Sequence, residues 1–324
     1  MVNFPAPIGG TVLPSDFAPS ILFAVLYGLL LPLFTYRMYA RRSRTLVLLG
    51  SGFLLIERIV FYGLRASQAH NDSKRFSGSL VTYMQVSYGL SYINIANDSI
   101  AYIRCLLVNP TFGSDNYKDS PAGHTKGGVC KPPPEGTPDQ PRLRSWFRRL
   151  TGLLRVIFLA SIIPAIVANT HYSNIFGNQS KADQTASLRY ASAAVALAMC
   201  FVLIGIIAWS VFKYPARSVS RRSAGIASLI IALMMVIAIY RLAVMHVRTT
   251  SLAEPTPLDT PAGKAEFYVF HVLPEWSVLC LLYMINVRKT FSTGFAGDWR
   301  VRDKKEEADE EMNNLAGNKK PQEG

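Results

Sequence analysis

Residues 18–39 read APSILFAVLYGLLLPLFTYRMY, and Arg37 is the single charged residue in this run. A helix that crosses the hydrocarbon core of a bilayer needs about 20 mostly apolar residues, so the run predicts a membrane span. Further runs of this kind follow at 44–64, 80–108, 150–170, 186–212, 224–247 and 266–287. The sequence therefore predicts an all-α, polytopic integral membrane protein with a bundle of seven transmembrane helices.

The overall composition agrees with a membrane protein. Of the 324 residues, 50% are hydrophobic and only 17% are charged, whereas soluble domains carry about 25% charged residues. The formal net charge is +13, which would favour nucleic-acid binding only if the basic residues shared a soluble face. They lie instead in the connections between the predicted spans, so we expect no nucleic-acid partner.

Three segments differ in composition from the predicted spans. Residues 1–17 contain no Lys or Arg and lack the basic start of a cleavable signal, so we expect an outer N-terminal tail. Residues 109–149 separate spans 1–3 (18–108) from spans 4–7 (150–293). This separating segment is rich in Pro and Gly and predicts a disordered, basic cytosolic loop. Residues 294–324 are highly charged and predict a disordered cytosolic tail.

The distribution of Lys and Arg indicates an orientation. Arginines concentrate after the first predicted span, before the fourth, between the fifth and sixth, and after the seventh, while the remaining connections are poorer in basic residues. Basic connections favour the cytosolic side of a membrane, so we expect the N-terminus outside and the C-terminus in the cytosol. These basic loops would face anionic lipid headgroups, where each cation contributes roughly 1 kcal/mol.

Polar side chains inside the predicted spans are the candidates for a functional site, because such groups are costly in a membrane and usually face the bundle interior. We expect them to line a polar cavity that opens outward between spans 2, 3, 6 and 7. The candidates are Glu57, Tyr62, Arg65, Asn94, Asp98, Tyr240, Arg241, Glu266, His271 and Glu275. An ion pair of Glu57 with Arg58 or Arg241 that only fixes helix packing remains an alternative.

Several functional classes lack their characteristic residues here. A retinal pigment needs a lysine in the middle of the seventh span, but Lys264 precedes that span and Lys289 follows it. The third span ends in Tyr102-Ile103-Arg104 in place of the acidic-Arg-Tyr triplet of the common receptor class. The spacing of the histidines does not match a zinc enzyme, and the sequence has no glycine-rich phosphate loop that would indicate an ATPase. We therefore expect a protein that is not an enzyme and holds no metal or other cofactor.

Four segments carry a resemblance to a known family. The stretch 57–65, ERIVFYGLR, resembles the Glu…Gly-Tyr…Arg signature of the fungal RTA-like, lipid-translocating exporter family. Ile239-Tyr240-Arg241 and the stretch 266–274, EFYVFHVLP, resemble that family's Tyr-Arg segment and its Glu…Tyr-Val-Phe-Asp…Pro segment, and Pro19-Ser20 fits the start of its first span. Phe61 and His271 stand where the family prefers Gly and Asp. The resemblance implies seven spans and a role in lipid movement and in resistance to amphipathic toxins.

Two functions follow as expectations. The first is a translocator or exporter of lipids or amphipathic molecules that does not use ATP, with membrane lipids as partners, in the plasma membrane or an endomembrane. The second is a seven-helix receptor with an outward-facing ligand cavity and basic cytosolic loops that contact a signalling partner. Asn71 and Asn178 begin N-glycosylation sequons in connections that we expect outside.

Overall fold

The computed structural model describes residues 2–170, 172–213 and 220–298. The long helices within these ranges are α1 (Phe17–Tyr39), α2 (Leu49–His70), α3 (Gly78–Val108), α4 (Pro141–Thr170), α5 (Gln179–Lys213), α6 (Arg221–Val244) and α7 (Pro261–Met284). A helical turn, Asp72–Arg75, joins α2 to α3, and the short helix α8 (Val287–Phe291) follows α7. The strands β1 (Phe4–Pro5) and β2 (Arg248–Thr249) pair in antiparallel fashion.

Six of these helices are long and apolar enough to cross a membrane, and they are α1, α2, α4, α5, α6 and α7. Their outer faces carry large apolar side chains that are exposed, such as Leu29 on α1 and Phe53 on α2. Exposed apolar surface of this extent marks contact with lipid. The expectation of an all-α, polytopic membrane protein is therefore confirmed.

Helix α3 has the length of a span but a more polar sequence, and its place in the bundle explains the difference. It packs against α2, α4, α5 and α6, and 18 of its 31 residues are buried. Only four of the 23 residues of α1 are buried. A helix surrounded by other helices needs little lipid-compatible surface, so polar residues are tolerated where partners satisfy them.

Helices α1, α2 and α7 are joined by close contacts. Gly52 of α2 faces the ring of Phe34 on α1, and a Cβ at this position would come within 2.1 Å of that ring. The ring of Phe34 in turn lies 5.4 Å from the ring of Tyr283 on α7. Arg37 at the end of α1 donates hydrogen bonds to the carbonyl oxygens of Tyr283 (2.9 Å) and Met284 (2.6 Å). These carbonyls lie at the C-terminal end of α7, where the negative end of the helix dipole also stabilises a cation.

Residues 2–16, the N-terminal segment, form a cover over one end of the bundle, which we term the N-terminal end. Phe4 and Ile8 are each 1% exposed. Ile8 and Gln85 of α3 exchange two hydrogen bonds, from Ile8 N to Gln85 Oε1 (3.0 Å) and from Gln85 Nε2 to Ile8 O (3.3 Å). The hydroxyl of Tyr172 donates to Pro5 O (2.6 Å). The sequence predicted an outer tail here; the structure shows that these residues are packed, and their position outside the membrane stays a prediction.

The opposite end, which we term the loop end, also differs from the sequence prediction. Residues 141–149 of the predicted disordered loop 109–149 form the first turns of α4. The rest of that loop packs against the segment after α7: Asn109 Nδ2 donates to Ser292 O (3.1 Å), and Thr125 Oγ1 donates to Thr293 O (2.9 Å). Of the predicted tail 294–324, residues 294–298 form a tight turn, and residues 299–324 lie outside the described residues.

A substitution at Gly52 tests the contact between α1 and α2. Gly52→Ala should lower the free energy of unfolding by about 1–3 kcal/mol, because the added methyl group displaces the Phe34 ring and overpacks the contact. Gly63→Ala on the same helix is the matched control, since a Cβ there meets nothing within 4 Å. It should be neutral or stabilising by up to about 1 kcal/mol. Thermal unfolding of the two purified variants in detergent measures the difference, and equal melting temperatures would contradict the packing described here.

Candidate functional site

The centre of the bundle holds a buried ion pair between Arg58 of α2 and Glu275 of α7. Arg58 is 0% exposed and Glu275 is 2% exposed. The contact is bidentate: Arg58 Nε donates to Glu275 Oε1, and Arg58 Nη2 donates to Glu275 Oε2 at 3.1 Å. Two parallel hydrogen bonds of this kind fix the relative orientation of the partners as well as neutralising both charges. The pair therefore sets how α2 and α7 face each other.

Helices α1 and α3 supply the remaining hydrogen bonds of this carboxylate. Ser91 Oγ donates to Glu275 Oε2 (2.6 Å), and the hydroxyl of Tyr27 on α1 donates to Glu275 Oε1 (3.3 Å). The guanidinium of Arg58 lies over the ring of Phe61, 4.9 Å from its centroid. Four helices thus converge on one ion pair, and every oxygen of the buried carboxylate has partners.

Glu57 adds a second carboxylate at the edge of this cluster. Its Oε2 lies 3.1 Å from Arg58 Nη1, and its Oε1 accepts hydrogen bonds from Ser87 Oγ (2.7 Å) and from the hydroxyl of Tyr83 (2.8 Å). The side chain of Glu57 is 32% exposed. The cluster therefore contains two carboxylates and one guanidinium, and the excess negative charge lies on its more accessible side.

A second polar region lies around Arg241 of α6. Arg241 is 3% exposed; its Nη1 donates to Tyr88 O at 3.0 Å and lies 3.5 Å from His271 Nε2. Within the described residues no carboxylate oxygen lies within ion-pair distance of it. Buried side-chain atoms without a hydrogen-bond partner gather here: Arg241 Nε, His271 Nδ1, Tyr88 OH, Tyr240 OH and Asn169 Oδ1. Such atoms are rare in protein interiors, so this region is polar and under-coordinated.

The backbone of α7 helps to aim His271 and Glu275 inward. Residues Tyr268–Val272 form a π-helical turn that ends two residues before Pro274. Proline lacks the N–H that an α-helix requires and clashes with the carbonyl of the residue four positions earlier, and a wider turn relieves that clash. Turns of this kind are frequent at functional sites. Both His271 and Glu275 are buried on the inner face of the helix.

The N-terminal end is closed by a second ion-pair cluster, which we term the latch and which consists of Asp16, Arg65, Lys264 and Tyr268. Arg65 Nη2 donates to Asp16 Oδ1 (3.0 Å), and the Tyr268 hydroxyl donates to the same oxygen (2.8 Å). Lys264 Nζ lies 3.0 Å from Asp16 Oδ2, and it also donates to Gly9 O at 2.9 Å. The latch ties the N-terminal segment to α2 and α7.

The loop end holds a cavity of about 350 Å³ between the start of α2, the C-terminal part of α3, the middle of α4 and the turn after α8. Asp98 and Arg104 of α3 and Arg155 of α4 line it, together with apolar side chains such as Leu46 and Val47. Its lining therefore combines both signs of charge with apolar surface. We term it the loop-end cavity.

The structure brings most of the sequence-predicted residues to the interior, but not into one outward-opening cavity. Glu57 and Glu275 lie in the central cluster, Arg65 in the latch, and Asp98 in the loop-end cavity. Tyr62, Tyr240, Arg241 and His271 are buried around the central cluster. Asn94 and Glu266 are exposed on the outer surface of the bundle. The cover formed by residues 2–16 lies over the N-terminal end and separates the interior from the space beyond it.

The predicted candidates omitted residues that prove central. Arg58 was treated only as a partner for Glu57, and the proposed Glu57–Arg241 pair is not formed, since Arg58 takes both carboxylates. Asp16 was assigned to a tail, yet a lone acid next to an apolar span is a signal for a buried partner. Arg104 and Arg155 were not among the candidates, and charge within predicted spans was the available signal for both.

A comparison of the chain with models of protein families, with curated proteins and with solved structures finds no match.

The central ion pair is open to test by single and double substitution. Glu275→Ala should lower the free energy of unfolding by up to about 3–5 kcal/mol, because it removes the bidentate partner of the buried Arg58 and leaves Glu57 as its counter-charge. The double variant Glu275→Met, Arg58→Met should lose less than the sum of the two single Met variants, because it leaves no uncompensated charge. Thermal unfolding in detergent with a double-mutant cycle gives the coupling. Additive losses would show that the two side chains do not depend on each other.

Proposed function

We propose that this protein is a seven-span membrane protein that translocates lipids or other amphipathic molecules without ATP. The loop-end cavity carries the proposal, because its charged and apolar lining matches an amphipathic molecule and it lies at the edge of the bundle. The resemblance to the RTA-like exporters has the same implication. Membrane lipids are then the partners, and the protein acts in the plasma membrane or an endomembrane.

The proposed topology adds α3 to the six candidate spans, which gives seven spans in total. The N-terminal end lies outside. The length of α3 and its contacts with four neighbouring helices support this count. The basic segments support the orientation: arginines after α1 and in the first turns of α4 lie at the loop end, which is then cytosolic and faces anionic headgroups. Asn71 and Asn178 are exposed in connections at the N-terminal end, where glycosylation would reach them.

A series of polar groups leads from the loop-end cavity into the bundle. Asp98 and Ser91 are seven residues apart on α3, which is two turns or about 10 Å along one face of the helix. Ser91 contacts Glu275 in the central cluster, and Ser87 lies one turn further toward the N-terminal end. From there the polar region around Arg241 leads to the latch. The headgroup of a lipid would meet a polar partner at each step, while its chains stay against the apolar outer surface.

A receptor is the second candidate, and one observation favours it. A cleft of about 270 Å³ lies at the N-terminal end between the N-terminal segment, Arg75, Phe76 and residues 252–260. A ligand bound there would contact Thr11 and Leu13, which belong to the cover. Ligand-dependent coupling to a cytosolic signalling protein, without lipid movement, would establish this alternative.

Lipid movement in purified vesicles tests the first proposal. The full-length protein is reconstituted into liposomes without nucleotide, and the transfer of a fluorescent phospholipid and a fluorescent sphingoid base between the leaflets is followed by chemical quenching. We expect faster transfer than in protein-free liposomes, and a loss of that acceleration in Asp98→Asn at equal protein content. A rate no higher than in protein-free liposomes for both probes would contradict the proposed translocator.

Opening of the N-terminal end should be required for transport. Pro5 and Arg248 lie directly opposite each other in β1 and β2, where Cα atoms are about 4.5–5.5 Å apart, within the range that a disulfide spans. Oxidised Pro5→Cys, Arg248→Cys should therefore fix the cover in place and stop lipid transfer. Reduction of the same sample should restore it, which makes the variant its own control. Undiminished transfer by fully oxidised protein would show that the cover does not move.

A further inference from the structure

The loop-end cavity contains three charged side chains without an ion-pair partner, namely Asp98, Arg104 and Arg155. Arg104 Nε donates one hydrogen bond, to Thr151 Oγ1 at 2.8 Å. In the part of the chain that the structure describes, neither arginine lies within 4.0 Å of a carboxylate, and Asp98 accepts no hydrogen bond. By contrast, Asp298 on the same wall is already bound by Arg148, at 2.6 and 2.9 Å. The three groups are therefore available to a ligand.

The position of Arg155 favours a further anion, because Asp98, its electrostatic neighbour in the cavity, lies beyond ion-pair distance. Arg155 is exposed, and its neighbours Leu153 (56% exposed) and Val156 (60%) form part of the apolar outer surface of α4. A guanidinium at the edge of the hydrocarbon region is stabilised by a nearby anion or by the headgroup layer. Arg104 lines the same cavity, so the two guanidinium groups can share one anionic group.

The carboxylate of Asp98 supplies the opposite charge across this cavity. Gly50 of α2 lies against it: a Cβ at this position would come within 2.3 Å of Asp98 Oδ2. The absence of a side chain at Gly50 gives the carboxylate its space at the wall of the cavity. The site thus offers two cations and one anion within about 350 Å³, at the lower end of the range of about 300–1,000 Å³ for small-molecule pockets. This volume suits a headgroup rather than a whole two-chain lipid.

We propose that the loop-end cavity binds the headgroup of a zwitterionic phospholipid, with its phosphate between Arg104 and Arg155 and its ammonium group on Asp98. Planar guanidinium groups match the geometry of phosphate oxygens, and a carboxylate pairs with an ammonium. Exposed apolar side chains at the start of α2, Leu49 and Phe53, and on α4 give the acyl chains a surface beside the cavity. The inference rests on the proposed function, because it names the class of molecule that is moved.

Equilibrium binding to the full-length protein in detergent tests the assignment. Native mass spectrometry follows the titration of wild type with phosphatidylethanolamine, with phosphatidic acid, which has the phosphate without the amine, and with inorganic phosphate. We expect Asp98→Asn to lower the affinity for phosphatidylethanolamine by roughly tenfold or more. The affinity for phosphatidic acid should stay unchanged or rise. The double variant Arg104→Gln, Arg155→Gln should lower the affinity for both lipids by a similar factor or more.

Two further variants separate binding from folding. Gly50→Ala should displace the Asp98 carboxylate and reproduce the selective loss for phosphatidylethanolamine without removing a charge. Arg42→Gln, which removes an exposed cation at the loop end outside the cavity, should leave both affinities unchanged. Melting temperatures are compared for all variants, and Gly50→Ala decides the assignment if Asp98→Asn does not fold.

Each contrary outcome overturns a defined part of the inference. If Asp98→Asn lowers the affinity for both lipids equally, the ammonium group does not bind to Asp98. If the affinities are unchanged in the double arginine variant, the phosphate binds elsewhere. Binding of inorganic phosphate as tight as that of the lipids would identify a site for a free anion. Because binding is measured without transfer, a protein that binds the headgroup but moves no lipid would refute the proposed function alone. A protein that moves lipid without this selectivity would refute the headgroup site alone.

Discussion

The neutralisation of charge in a low-dielectric interior is the constraint on which the rest of this structure depends. An isolated ion in such surroundings is too costly to keep, so it must be paired and hydrogen-bonded. Arg58 and Glu275 meet this requirement together, and satisfying the remaining oxygens recruits Ser91 from α3 and Tyr27 from α1. One ion pair thereby fixes the relative positions of four helices, which apolar packing alone, being non-directional, would leave less well defined.

The same requirement explains why the two ends of the bundle differ. At the N-terminal end, Asp16 is placed between Arg65 and Lys264 by the N-terminal segment, and the charges are compensated within the chain. At the loop end, Asp98, Arg104 and Arg155 face a cavity and lack such partners. The first arrangement describes a closed end. The second describes an end whose charges are not compensated within the described residues, which agrees with the proposed headgroup site.

The sequence was sufficient to predict the six helices that are long and apolar enough to cross a membrane, because apolar length is a local property. It was less informative about contacts between distant segments. Asn94 falls close in helical spacing to Ser91 but faces outward, since a helix surrounded on most sides still has one open edge. The buried residues of the N-terminal segment have no helical period, and the contacts of loop 109–140 with residues 292 and 293 are long-range, so composition indicated a tail and a disordered loop. The choice of Arg58 over Arg241 as the partner of Glu57, and the pairing of Arg58 with Glu275, depend on helix rotation, which no local pattern specifies.

In the proposed translocator, the central ion pair also bears on which molecules would pass. Moving Arg58 and Glu275 apart leaves Arg58 with Glu57 as its counter-charge and leaves the buried Glu275 without a cation, and the cost is large unless the passing molecule supplies new partners. A headgroup with a phosphate and an ammonium can do so, with the phosphate on Arg58 and the ammonium on Glu275, so that every charge stays paired during the exchange. A purely anionic headgroup could satisfy only Arg58 and would leave Glu275 uncompensated. Under the proposed function, the cavity at the loop end and the pair at the centre therefore favour a common feature, an ammonium group, which the first would hold on Asp98 and the second on Glu275.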